Sequence, residues 1–340
     1  MKPFAIALLL STALFGASAF AQPATETPES SNAAFFKTPG WLGQKYFGAG
    51  DYEKLDAQVA EYTKSKTRTE DGRYALYLLT SELEDWFGNW GEDQDANMAG
   101  KLAAWHEQFP ASALQPIVTA MQMNSLAWRA RGGGYSSTVT EEGWRLFNER
   151  NQLAWQILSE HKKESSAIPT WYEYAIRIGG DAGAPDKELR QLFDEGIRRH
   201  PGFHPIYFTF MRHFAPRWGG NYEDAGEFIL EQTKAKTNPE GEILYARLYW
   251  LMDQYENGSP SFFQDSRVSW PRMRAGFELM MRAYPASAWN QANFAMFACR
   301  ARDATTYGTL RPKINAAQFR KAAPEGISLE VCDARFMQKT

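Results

Sequence analysis

Arginine and tryptophan set beside glycine are the chemistry-bearing residues that stand out in this sequence, and two short segments concentrate them. In Trp128-Arg129-Ala130-Arg131-Gly132-Gly133-Gly134-Tyr135-Ser136-Ser137, guanidinium groups adjoin glycines whose backbone N–H groups can come close to a ligand. That combination suits the holding of an anion or a peptide. The plainer use of the same residues is a tight loop between two helices. The segment is not a P-loop, because no Gly-Lys-Ser/Thr ending follows the glycines. In Pro216-Arg217-Trp218-Gly219-Gly220 the indole can lie against a helix while the arginine stacks on it or pairs with a carboxylate. This is either a staple for the loop or part of a binding surface. Trp128, Arg131, Arg217 and Trp218 are therefore the candidate binding residues.

Other constellations are weaker. Glu82, Glu84 and Asp85, with Trp86 and the later Glu92, Asp93 and Asp95, make an acidic and aromatic stretch. Paired carboxylates can exchange protons or hold a cation, but this spacing matches no calcium loop and suits a solvated helix face equally well. Of the five histidines, His200 and His204 have the i, i+4 spacing of metal ligands on a helix. Pro201 and Gly202 lie between them, and neither cysteine nor carboxylate completes a set nearby. No Gly-x-Ser-x-Gly occurs, and Glu164-Ser165 lacks the glycine- and glutamine-rich sequence that follows the Glu-Ser pair of glycan-cleaving enzymes built on helical superhelices. No catalytic residue, metal or cofactor is expected, and whether the chain is an enzyme stays open. If it is, a hydrolase of cell-wall or peptide bonds using Glu82 or Glu84 is the reading to test; a small-ligand carrier is the third class.

Composition narrows the field. Charged residues make up 23% of the 340, and the net charge is −3 without a long basic run, which disfavours nucleic acid as a partner. Lys2, the apolar stretch Phe4 to Phe15 and the small-x-small sequence Ala19-Phe20-Ala21 have the form of a bacterial signal peptide over 1–21, with cleavage between Ala21 and Gln22. The expected location is periplasmic or secreted. Residues 22–34, rich in Pro, Thr, Ser and Glu, read as a flexible linker. No later stretch reaches the length of a transmembrane helix. In an oxidising compartment Cys299 and Cys332 read best as one disulfide, worth ~3–4 kcal/mol for its loop; two separate buried thiols are the alternative.

The elements that must position these residues are helical. Phe109-Pro110-Ala111-Ser112-Ala113 recurs as Tyr284-Pro285-Ala286-Ser287-Ala288. Met98, Leu102 and Trp105 precede the first copy at the same offsets as Met273, Phe277 and Met280 precede the second. Leu189, Phe193 and Gly196 before His200-Pro201 make a looser third. Helix, proline turn and helix, repeated, is the pattern of helical-hairpin arrays. About fourteen helices and no strand are expected, including one from Asp51 toward Tyr62, one from near Glu70, one capped by Thr138 or Thr140, and two short ones from Pro312 and Ser328. Pro169, Pro201 and Pro239 recur at close to the tetratricopeptide period, although the strict consensus is missing. The fold class expected is all-α, an irregular tetratricopeptide-like α-hairpin array over 35–340 as a single domain.

The Trp128–Gly134 segment, Val139-Thr140-Glu141-Glu142-Gly143-Trp144, Pro216-Arg217-Trp218-Gly219-Gly220 and Phe294-Ala295-Met296-Phe297-Ala298-Cys299-Arg300-Ala301-Arg302-Asp303 together resemble a bacterial domain family of unknown function. The resemblance spans most of 50–305. It implies an exported or membrane-attached helical protein with tetratricopeptide-like hairpins and implies no particular chemistry. The function expected is that of a non-enzymatic interaction scaffold, holding a protein or peptide of the cell envelope in a concave groove.

Overall fold

The computed structural model describes residues 38–89 and 94–337. The expected signal peptide, linker and cleavage point lie outside the described residues, as do Glu92 and Asp93. The regular elements are α1 (Pro39–Ala49), α2 (Tyr52–Ser65), α3 (Ala75–Asn89), α4 (Asp95–Gln108), α5 (Gln115–Arg131) and α6 (Glu141–Glu160). The short α7 (Lys162–Ser165) leads to α8 (Pro169–Asp181), α9 (Asp186–Arg199), α10 (His204–Met211), α11 (Tyr222–Lys234) and α12 (Glu242–Tyr255). The chain ends with α13 (Phe262–Asp265), α14 (Trp270–Ala283), α15 (Ala288–Arg300), α16 (Ala304–Leu310), α17 (Ala316–Ala322) and α18 (Leu329–Met337). An isolated bridge between Arg68 and Tyr74 is the one β feature among the described residues. The protein is all-α, and no described helix is long and apolar enough to cross a membrane.

The repeated phrase writes a repeated backbone stop. Helices α4, α9 and α14 end on Phe109, His200 and Tyr284, whose φ/ψ pairs are −133/64°, −127/63° and −134/64°. In each the terminal N–H bonds back to the carbonyl of Trp105, Gly196 or Met280. Restarting is shared too: the hydroxyls of Ser112 and Ser287 each accept the N–H of the third residue onward, Gln115 and Asn290, at 3.1 Å. Every residue of the three preceding stripes is buried. In the third, Gly196 replaces a side chain because a Cβ there would press on the Tyr172 ring at 2.9 Å.

Some boundaries differ from the expected ones. The helix placed near Glu70 begins at Ala75. Residues 67–74 turn instead, because Asp71 draws the N–H of Arg73 and the hydroxyl of Thr69 to its own carboxylate and Gly72 takes φ +85°, outside the helical region. Thr140 rather than Thr138 caps α6, accepting from Gly143. Three helices close the chain where two were expected, since Asp303 and Asn315 each cap a fresh start.

Burial alternates along the chain. Helices α4, α6, α9 and α14 bury one stripe, whereas α5, α8, α10, α12 and α15 are buried over most of their residues, the arrangement of an outer and an inner row. The 67–74 turn closes one end of the inner row. Tyr74 donates to the carbonyl of Gly202 just ahead of α10, Arg68 pairs with Glu240 just ahead of α12, and Asn290 in the first turn of α15 donates to the carbonyl of Asp71. Gly72 meets Tyr284 and Arg247 so closely that a Cβ would lie 2.5 and 2.7 Å from them.

Glu240 is the hub of this closure. Its carboxylate meets Arg68 at 2.9 Å, His204 at 2.5 Å and Arg247 at 3.7 Å. Burial opposes its ionisation, but His204 and the two arginines hold its pKa down at about 2. Burial takes His204 down to about 4. At the far end of the chain a Cys299–Cys332 disulfide joins α15 to α18.

Two outcomes follow from this packing. Glu240→Gln leaves Arg68 and Arg247 buried without their anion, so urea unfolding at neutral pH should show a loss of about 3–5 kcal/mol. Replacing both Cys299 and Cys332 by Ser should cost ~3–4 kcal/mol and raise hydrogen exchange first in α16–α18.

Candidate binding cleft

Three of the four candidate residues join one structure, and they do so through a residue that the sequence did not single out. The guanidinium of Arg131, in the last turn of α5, lies 5.1 Å from the centre of the Trp128 ring and 5.0 Å from that of Trp144. Arg212, immediately after α10, lies 5.4 Å from the Trp128 ring and 4.5 Å from the Trp218 ring. Arg131, Trp128, Arg212 and Trp218 thus form a ladder of alternating guanidinium and indole groups, each step a cation–π contact. Arg217 stands apart. Its side chain reaches Asn257 at 3.3 Å, and its backbone N–H donates to Glu256.

Asp181 fixes the ladder. Its Oδ2 accepts the Trp128 indole N–H at 2.8 Å and the Asn124 amide at 3.1 Å, and its Oδ1 lies 3.5 Å from Arg212. Asn124 in turn donates to Asn151 of α6. Trp128 packs edge-on against Phe147 of that helix, and Arg131 donates to the carbonyls of Gly132 and Gly134. The glycine run therefore ends α5, with Gly132 at φ +75°, and wraps the Arg131 head. The next residue, Tyr135, is 87% exposed.

The second motif folds for an equally local reason. Pro216–Trp218 is a single 3-10 turn ended by Gly219 at φ +93°. Gly220 lies against the Phe214 backbone so tightly that a Cβ would come within 2.3 Å of it. The turn leaves Trp218 46% exposed on the rim of a cleft of about 670 Å³, a size common for ligand sites. Arg177, Asp181 and Arg212 line one part of it; Asp186 and Arg190 from α9 and Asp224 from α11 line another. His213 rests over Gly180, where a Cβ would lie 3.1 Å from the ring.

Behind the cleft the α8 face that carries Asp181 continues to Arg177 and Glu173. Arg177 grips Glu84 of α3 through two N–H groups, at 2.5 and 3.1 Å, and Tyr174 donates to the same carboxylate at 2.7 Å. Glu84 is thereby committed to holding α3 on α8. Glu82 accepts from Gln44, and burial raises its pKa. Neither is among the residues lining the cleft. Glu173 is 7% exposed, and its Oε2 has no partner. Burial lifts its pKa to about 8, with Arg177 opposing and Glu84 adding to the rise, so the carboxyl carries a proton at neutral pH. His200 and His204 are separated as the intervening proline requires: His200 bonds the Ser166 carbonyl, and His204 bonds Glu240. No group of three or more His, Cys, Asp or Glu among the described residues is arranged to hold a metal ion.

Sequence reasoning missed Arg212 and Asp181. The available signal was position: both stand at the carboxyl ends of apolar helices, where side chains converge on neighbouring helix ends. The chain matches no protein-family model, no curated protein and no solved structure.

Glu173 gives a pH test. Its folded pKa of about 8 stands above the ordinary glutamate value of 4.5, so the stability tied to its proton is present below about pH 4.5 and is lost as pH rises through 8. Glu173→Gln should gain on the wild type by several degrees in Tm between pH 5 and pH 9, in parallel thermal melts.

Proposed function

We propose that this protein is an exported, periplasmic, tetratricopeptide-like helical array whose role is to hold a protein or peptide of the cell envelope rather than to catalyse a reaction. Membership of the bacterial family that the Pro216–Gly220 element resembles is part of the same reading. The observation that carries it is the Arg131–Trp128–Arg212–Trp218 ladder, whose outer members Arg212 and Trp218 line the cleft. Aromatic and arginine anchors held rigid before a partner arrives lose little entropy on binding, and such residues dominate contact energetics. The disulfide between Cys299 and Cys332 suits an oxidising compartment. Against the hydrolase alternative stands the placement of its carboxylates: Glu84 is saturated by Arg177 and Tyr174, and Glu82 lies beside Gln44, away from the cleft.

The double variant Arg131→Ala, Trp218→Ala removes both ends of the ladder. Compared with the wild-type chain in affinity isolation from its own envelope, and with folding checked by circular dichroism, it should lose at least one co-purifying partner. An unchanged set of partners would sink the proposal.

A further inference from the structure

The charges lining the cleft separate into those already spent and those left over. Arg177 is spent on Glu84 and Arg190 on Asp194 and Glu231. Asp181 accepts hydrogen bonds from Trp128 and Asn124 through one oxygen, and its other oxygen lies 3.5 Å from Arg212. Arg212 itself is different. It is held between two indoles, with its side chain 23% exposed. Its nearest anion stands 3.5 Å away, and none of its N–H groups makes a hydrogen bond to the described residues. A guanidinium kept in place by ring faces keeps its planar N–H fork free for an incoming carboxylate, the geometry in which arginine binds most strongly. On the first turns of α9 and α11, the Asp186 carboxylate has no hydrogen bond or ion pair to the described residues, and that of Asp224 has only the Asn221 amide among them. Beside its ion pair with Asp181 the Arg212 head thus keeps N–H groups that make no hydrogen bond to the described residues, and across the cleft stand the carboxylates of Asp186 and Asp224, neither paired with a cation among the described residues. A ligand carrying net negative charge would meet repulsion from the aspartates, and one carrying only positive charge would meet it from Arg212.

We propose that the cleft takes a short peptide with both termini free, its carboxylate on the Arg212 fork, its ammonium toward Asp186 and Asp224, and an apolar side chain against the exposed face of Trp218. The inference rests on the reading of the protein as a peptide-holding scaffold and gives that scaffold a ligand class. The cleft volume of about 670 Å³ accommodates a few residues rather than a folded partner. The helix dipole favours aspartate in a first turn whether or not a ligand is present, so the ammonium half of the proposal needs its own arm of the test.

The experiment is calorimetric titration of the mature chain with Ala-Ala-Phe in four forms: both termini free, N-acetylated, C-amidated and doubly blocked. The free tripeptide should bind tightest, with amidation and acetylation each weakening it about tenfold. Arg212→Lys keeps the charge but loses the fork, and it should shrink the acid-over-amide preference several-fold. Asp186→Asn with Asp224→Asn should erase the preference for a free amine. Arg217→Met, away from the ladder, should leave all four affinities as they were. A doubly blocked peptide that binds as tightly as the free one, and still depends on Trp218 when Trp218→Ala is tried, overturns this inference and leaves the scaffold reading standing. Failure of all four forms to bind, with the wild-type chain fully folded, also overturns this inference, and the scaffold reading then rests on the affinity isolation alone.

Discussion

The carboxylate of Glu240 is the constraint on which the rest of the architecture depends. It joins Arg68 to a position 172 residues later in the chain and gathers His204 and Arg247 around the same anion. Ordinary hairpin arrays hold each unit by its neighbours alone. Here the turn over 67–74 reaches past several units to the starts of α10, α12 and α15. A buried ion cluster of this kind contributes little net stability, because desolvation offsets attraction. What it contributes is register, since His204, Arg68 and Arg247 have one shared anion to meet and few other places to go.

That closure sets the direction of the inner helices and so prepares the opposite end. With the beginnings of α10, α12 and α15 at the 67–74 turn, the ends of α5, α8 and α10 collect around Asp181. Helix carboxyl ends carry partial negative charge and favour cations. Arg131 and Arg212 stand there, each against the indole of Trp128, and Arg212 also against that of Trp218. The cleft is the space left where the ends of α8 and α10 meet the first turns of α9 and α11.

Legibility in the sequence followed locality. The stops at Phe109, His200 and Tyr284 were readable because a proline turn and its preceding stripe are complete within a dozen residues. The ends of α5 and of the Pro216–Trp218 turn were readable for the same reason, through their glycines. Trp128, Arg131 and Trp218 were picked out by composition, and the ladder links them through Arg212. Arg217, picked out equally, faces Asn257 instead, because a residue next to a useful one points elsewhere on a tight turn. The start of α3 was misplaced because the Asp71 turn with Thr69 and Arg73 and the positive φ of Gly72 outweigh the helical stripe there, and distant partners, Asn290 and Tyr284, close upon that turn.

By itself, then, the amino-acid sequence determined the all-α class, the repeated helix stops and the presence of two arginine–tryptophan–glycine turns, for each is written in contacts between near neighbours. The bridging role of Arg212 and Asp181, the protonated state of Glu173 and the closure through Glu240 were decided by tertiary structure alone. Each arises where helix ends distant in the chain are pressed together out of water, and there burial and a few unlike charges outweigh what any single segment prefers.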